Sequence, residues 1–170
     1  MYSGAVLAGG ASRRFGEDKA LFVYRGKPLL LWVLESLRGA EERFIVANRP
    51  YVGFGVPVYP DLLPGADSLS GLHSALAHAR FPWVAVAATD LPFLTRGFWD
   101  FLYEQARASP YPVVAVYSPE GHLEPLMALY HKDCLPQVEA LGATYVAAEE
   151  VVARFGERVY LNANRRADLP

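Results

Sequence analysis

Thirteen consecutive residues, Leu7-Ala8-Gly9-Gly10-Ala11-Ser12-Arg13-Arg14-Phe15-Gly16-Glu17-Asp18-Lys19, carry residue types suited to holding phosphate. Glycine admits left-handed backbone angles and close approach of a ligand. Successive amide N–H groups can then form a concave anion nest. Arg13 and Arg14 offer planar forks for phosphate oxygens, and Lys19 a compact point charge. From Ser12 to Lys27 the chain carries five cations (Arg13, Arg14, Lys19, Arg25, Lys27) and two anions (Glu17, Asp18), a local excess of +3. The competing explanation is an exposed loop with solvated cations. The segment has neither G-x-x-x-x-G-K-[ST] nor G-x-G-x-x-G, so it is neither a P-loop nor a dinucleotide fingerprint. Ser12 is outside any G-x-S-x-G, so it is not a hydrolase nucleophile elbow.

A second candidate is Asp90, in Thr89-Asp90-Leu91-Pro92 directly after the apolar run Trp83 to Ala88. Ligands of open α/β sheets bind at the carboxyl ends of the strands. Mg²⁺ takes one or two carboxylates, several waters and substrate phosphates, which suits an aspartate placed there. An ordinary turn aspartate is the alternative. Asn48, after another apolar run, can donate to and accept from a nucleobase edge, or serve simple turn chemistry. The four histidines show no ligand spacing, and H-E-x-x-H is absent.

These residues need elements to carry them. Gly4 to Ala8 reads as a buried first strand that stops at Gly9-Gly10. Leu21 to Tyr24 reads as a short strand and Pro28 to Arg38 as a helix opened by proline. Arg43 to Ala47 reads as a core strand, and Val56 to Tyr59, with Pro57, as an edge strand. Ser70 is placed to cap a helix reaching Ala79. Trp83 to Ala88 is the best buried strand, and Thr95 caps a helix to Ala108. Val113 to Tyr117 and Pro125 to Tyr130 read as strands, Ala147 to Phe155 as a helix ending at Gly156, and Arg158 to Leu161 as the last strand. Strands alternating with helices predict an α/β fold with a mostly parallel sheet. No linker divides the 170 residues, so residues 1–170 are expected to form one domain.

Composition narrows the function. Hydrophobic residues make up 52% and charged residues 20%, which argues against bulk disorder. The net charge of −2 speaks against a nucleic-acid binder. No apolar run is long enough to span a membrane. The start lacks a basic n-region, so no secretory signal is expected. The single cysteine, Cys134, excludes an intramolecular disulfide and favours a reducing compartment, with a cytoplasmic location expected.

Leu7 to Lys19 resembles the L-A-G-G-x-S-x-R-x-G-x-D-K signature of the molybdenum cofactor guanylyltransferases, with Phe15 where that family often has methionine. The cytidylyltransferase branch resembles L-A-A-G at this place, and the double glycine ending at Gly10 favours the guanylyl branch. Thr89 to Leu94 resembles the family's C-D-x-P-F/Y, with threonine for cysteine. Ala47-Asn48-Arg49 is similar to I-N-A-N-R, Ser70 to Leu76 to P-L-x-G-L/M, Glu124 to Tyr130 to (H/E)-P-L-x-A-L, and Asn162-Ala163-Asn164 to a terminal N-x-N. Arg165-Arg166 stands in place of Thr-Pro.

The resemblance implies a single-domain Rossmann-like nucleotide-diphospho-sugar-transferase fold with helices on both faces. It implies GMP transfer from GTP to the terminal phosphate of molybdenum-molybdopterin, with Mg²⁺ on Asp90. Lys19, Asp90 and Arg14 are the implied catalytic residues. Leu7, Ala8, Gly9, Gly10, Lys19, Asn48, Asp61, Gly71 and Asp90 are implied to bind GTP, and Asn162 and Asn164 the acceptor. Molybdoenzyme-maturation proteins are implied partners. A related transferase using CTP or a sugar phosphate, or a nucleotide-binding module without catalysis, remains an alternative.

Overall fold

The structure, a computed structural model, describes residues 1–9, 18–62, 68–134, 144–161 and 169–170. Gly10, Arg13, Arg14, Asn162, Asn164, Arg165 and Arg166 lie outside the described residues.

Nine strands are present among the described residues: β1 Ser3–Leu7, β2 Val23–Tyr24, β3 Lys27–Pro28, β4 Glu42–Val46, β5 Val58–Tyr59, β6 Trp83–Ala88, β7 Val113–Tyr117, β8 Leu123–His131 and β9 Thr144–Val146. The helices are α1 Leu29–Ser36, α2 Ser68–His78, α3 Arg96–Ala108 and α4 Ala148–Phe155. Seven strands form one sheet in the order β5-β4-β1-β6-β8-β7-β9. Within it β8 alone runs against its companions; it is antiparallel to both β6 and β7, while every other pairing is parallel.

Successive side chains of a strand point to opposite faces, and two apolar layers result. On one face Val6, Ile45, Ala85 and Ala87 pack with Leu30, Val33 and Leu34 of α1, Phe98, Trp99 and Leu102 of α3 and Val151 of α4. On the other, Ala5, Leu7, Phe44, Val46, Val84 and Val86 pack with Leu72, Ala75 and Leu76 of α2. Helices thus cover both faces of a mostly parallel sheet, as expected. Thr95 caps α3 by accepting from the Phe98 amide at 3.1 Å.

Several elements depart from the sequence reading. Residues 21–24 do not make one strand. Lys19–Leu21 is a 3-10 turn, and Val23–Tyr24 pairs only with Lys27–Pro28, as a small antiparallel hairpin. Its two-residue loop, Arg25-Gly26, takes φ of 46° and 84°, the left-handed pair such tight hairpins need. Pro28 ends β3 and precedes α1, so its side chain opens the helix from outside, and α1 stops at Ser36. Helix α2 starts at Ser68, which puts Ser70 inside the helix, buried.

The segment Arg158 to Leu161 is not a strand. Glu157–Tyr160 is a 3-10 turn, and the strand beside β7 is β9, Thr144–Val146, which the sequence pattern does not reveal. Of that turn only Val159 is buried, so its side chains do not fill a sheet layer as a core strand's would.

Candidate active site

Four parallel strands end flush. Leu7 pairs with Val46 on one side and Ala88 on the other, and Val46 pairs with Tyr59. Each is the last residue of its strand. Two residues beyond them come Gly9, Asn48, Asp90 and Asp61. Four of the sequence-predicted residues therefore stand in one row along the carboxyl edge, in the order Asp61, Asn48, Gly9, Asp90. At about 4.8 Å between strands the row is about 14 Å long.

The antiparallel strand extends it. β8 pairs with β6 so that Ala87 meets Met127, Val86 meets Ala128 and Ala85 meets Leu129. Continued by three residues, the same register sets Glu124 opposite Asp90. Because β8 is reversed, it delivers its beginning to the edge where its neighbours deliver their ends. Glu124 opens the motif Glu124 to Tyr130, and only the pairing of β8 with β6 reveals its neighbour.

At the far end of the row, Asn48 Nδ2 donates to Asp61 Oδ2 at 3.1 Å, and the Asp61 amide donates to Asn48 Oδ1 at 2.9 Å. At the centre, Gly9 is exposed, and a Cβ there would meet nothing among the described residues within 4 Å. Open space in front of the backbone is what close approach of a ligand requires. Gly71 differs. It is buried in α2, and a Cβ would come 3.1 Å from Leu7 Cδ1, so this glycine lets the helix sit against β1. The Leu7 side chain is committed to that packing, and its backbone lies at the strand end.

Asp90 is half-buried. Burial pushes its carboxyl above the ordinary aspartate value, while the nearby Lys19 ammonium pulls it back down. Lys19, ten residues beyond Gly9 in the chain, thus returns to the strand edge close to Asp90. Burial also raises Glu124, and the charges of Asp90 and Glu120 add to the rise. Beside Glu124 lies a cavity of about 500 Å³ lined by Ser118, Glu120, Arg158, Tyr160 and Leu161 among others. The Tyr160 hydroxyl is buried there with no hydrogen-bond partner among the described residues, and burial with the Glu124 and Glu149 charges pushes it up to about 12.

The oxygen chemistry of Asp90 and Glu124 fits Mg²⁺, a hard cation that keeps several waters and shares one or two carboxylates with substrate phosphates. Among the described residues no group of three or more His, Cys, Asp or Glu side chains could hold a metal ion.

Comparison with known proteins shows the family and the fold. Residues 4–160 match the model of the MobA-like NTP transferase domain. A Deinococcus radiodurans protein named "Probable molybdenum cofactor guanylyltransferase" is 41% identical, over 97% of this chain and 90% of its own. A protein of the same name from Thermococcus kodakarensis is 34% identical, over 98% and 91%. In crystal structures, molybdopterin-guanine dinucleotide biosynthesis protein A from Archaeoglobus fulgidus superposes with a TM-score of 0.83 at 26% identity, covering 98% of this chain and 94% of that one. The 2-C-methyl-D-erythritol 4-phosphate cytidylyltransferase of Thermus thermophilus shares the fold, with a TM-score of 0.69 at 19% identity over 99% and 96%. With its flush strand ends, its glycine-bearing exit from β1 and these relatives, the chain belongs to the MobA-like NTP transferase family.

Proposed function

We propose that this nucleotidyltransferase moves GMP from GTP to the terminal phosphate of molybdenum-molybdopterin, giving the guanine dinucleotide form of the cofactor and pyrophosphate. The acceptor phosphate oxygen forms a bond to the α-phosphorus as the bond to the β-phosphate breaks. The carrying observation is the single row Asp61, Asn48, Gly9, Asp90, which offers base-recognising groups at one end and charge-handling groups at the other.

The acceptor phosphate is already anionic, so no strong general base is required. The barrier is repulsion between two polyanions, and positioning with preorganised charge is the way to lower it. Lys19 contacts the phosphates, with Arg14 contributing from the same loop, and the backbone of Leu7, Ala8, Gly9 and Gly10 lies along them. Asn48 and Asp61 hold the nucleoside, and Asn162 and Asn164 serve the acceptor. Asp90, with Glu124 beside it, would hold Mg²⁺, whose charge offsets that of the triphosphate and leaving pyrophosphate. The chain acts as one domain in the cytoplasm and hands its product to molybdoenzyme-maturation proteins. Among the described residues no helix is long and apolar enough to cross a membrane.

The test is pyrophosphate release with each of four nucleoside triphosphates, Mg²⁺, and molybdopterin present or absent. Release with GTP and molybdopterin together is expected. Equal release with CTP, or with a sugar phosphate as acceptor, would replace the substrate assignment. Binding without release would make the chain a nucleotide-binding module.

A further inference from the structure

Asp18 precedes Lys19, and its carboxylate is the meeting point of three segments. Its Oδ1 accepts from the Ala20 amide at 3.2 Å, capping the 3-10 turn that begins at Lys19. Its Oδ2 accepts from the Arg49 guanidinium at 2.9 Å. The Tyr51 hydroxyl lies 3.0 Å from Oδ2 and 3.2 Å from Oδ1. That hydroxyl is also 3.3 Å from the carbonyl oxygen of Ala8, at the exit of β1. One phenol, its single hydrogen shared between these acceptors, therefore sits between the residue before Gly9 and the residue before Lys19, the two ends of the glycine-rich segment. Tyr51 is 5% exposed, while Arg49 is largely exposed. Burial and the Asp18 carboxylate raise the phenol, which keeps it a proton donor at any physiological pH.

We propose that Asp18 and Tyr51 are positioning residues: together they fix Lys19 at the carboxyl edge, so that its ammonium faces the phosphates. The inference rests on the phosphate-binding role of Lys19. Neither side chain needs to touch substrate. Tyr51 supplies a rigid donor from the segment following β4, and Asp18 passes that constraint to the backbone of the turn carrying Lys19. Without the phenol, the Ala8 carbonyl and the Asp18 carboxylate are two acceptors with no hydrogen between them, and the largely exposed Arg49 is left as the tie between Asp18 and the segment after β4. An ångström of misplacement at a reacting centre costs up to about 100-fold in rate.

The test uses the full-length chain with Tyr51→Phe, Asp18→Asn and Lys19→Ala, alone and combined. Asn in place of Asp18 keeps an acceptor for the Ala20 amide, and Phe in place of Tyr51 keeps the buried ring, so both variants retain the fold, checked by melting temperature. Amine acylation followed by peptide mass spectrometry reads Lys19 directly, with Lys27 and Lys132 as internal references. The labelling rate of Lys19 should change several-fold in Tyr51→Phe and Asp18→Asn while the references stay constant. In turnover, Tyr51→Phe should lower kcat about 10- to 100-fold. In the Lys19→Ala background it should lower it no further, since Tyr51 acts through Lys19. Wild-type labelling of Lys19 in both variants, or losses that multiply in the double variant, would overturn the proposal. A wild-type enzyme that releases no pyrophosphate, combined with altered Lys19 labelling, would sink the functional reading and leave the clamp standing.

Discussion

Asn48 and Asp61 are hydrogen-bonded to each other through both the nitrogen and the oxygen of the asparagine side-chain amide, although twelve residues separate them in the chain. The pair spans the tips of β4 and β5, so each residue orients the other before any nucleotide arrives. Asn48→Ala frees the Asp61 carboxylate and removes its charged hydrogen bond. The loss is expected to be about 1.5–3 kcal/mol, or about 10- to 100-fold in the Kd for GTP. Titration calorimetry checks it, and unchanged affinity would remove the pair from nucleoside recognition.

Lys19 and Asp90 are the charge-handling pair. Lys19→Ala or Asp90→Asn should each lower kcat by about 10²–10³. Lys19 also has a measurable effect without turnover. Its ammonium holds the Asp90 carboxyl down against burial, so Lys19→Met should move the Asp90 titration to higher pH. The sign follows from removing a nearby positive charge that favours the ionised form. Carboxyl-carbon NMR in metal-free protein reads this directly, and a downward or absent shift would separate the two residues.

Glu124 is expected to share the cation with Asp90. Glu124→Gln should weaken Mn²⁺ binding, followed by electron paramagnetic resonance in the presence of GTP, by about tenfold. The melting temperature should be nearly unchanged, since Glu124 is only partly buried. Undiminished Mn²⁺ affinity would limit Glu124 to the lining of the neighbouring cavity.

Stability is set at the other edge of the sheet. Ser3, fully buried at the start of β1, donates to Glu42 Oε2 at 2.6 Å and accepts from the Phe81 amide at 3.2 Å. Glu42 also accepts from the Arg80 amide and side chain. Burial alone would raise the Glu42 carboxyl, but these hydrogen bonds hold it below the ordinary glutamate value. A lowered folded pKa means that stability is present above the unfolded pKa and lost as pH falls through the folded one. Glu42→Gln should therefore cost about 1–3 kcal/mol at neutral pH. That difference should shrink below about pH 4. Urea melts at several pH values test this; a pH-independent difference would mean the charge is not involved.

The amino-acid sequence by itself determined the strands that are apolar throughout, such as Trp83 to Ala88, because a strand buried on both faces leaves an unbroken apolar run. It also determined the chemistry after β1 and the cap at Thr95, since glycine, charge and side-chain oxygens act locally. Only the tertiary structure decided what depends on pairing. The place beside β7 goes to β9 while Glu157–Tyr160 coils, and the register of the reversed β8, continued past Met127, sets Glu124 opposite Asp90. Gly71 answers to Leu7, sixty-four positions earlier, and Asp18 to Tyr51. Such contacts join residues distant along the chain, and local propensity carries no information about which strand lies beside which.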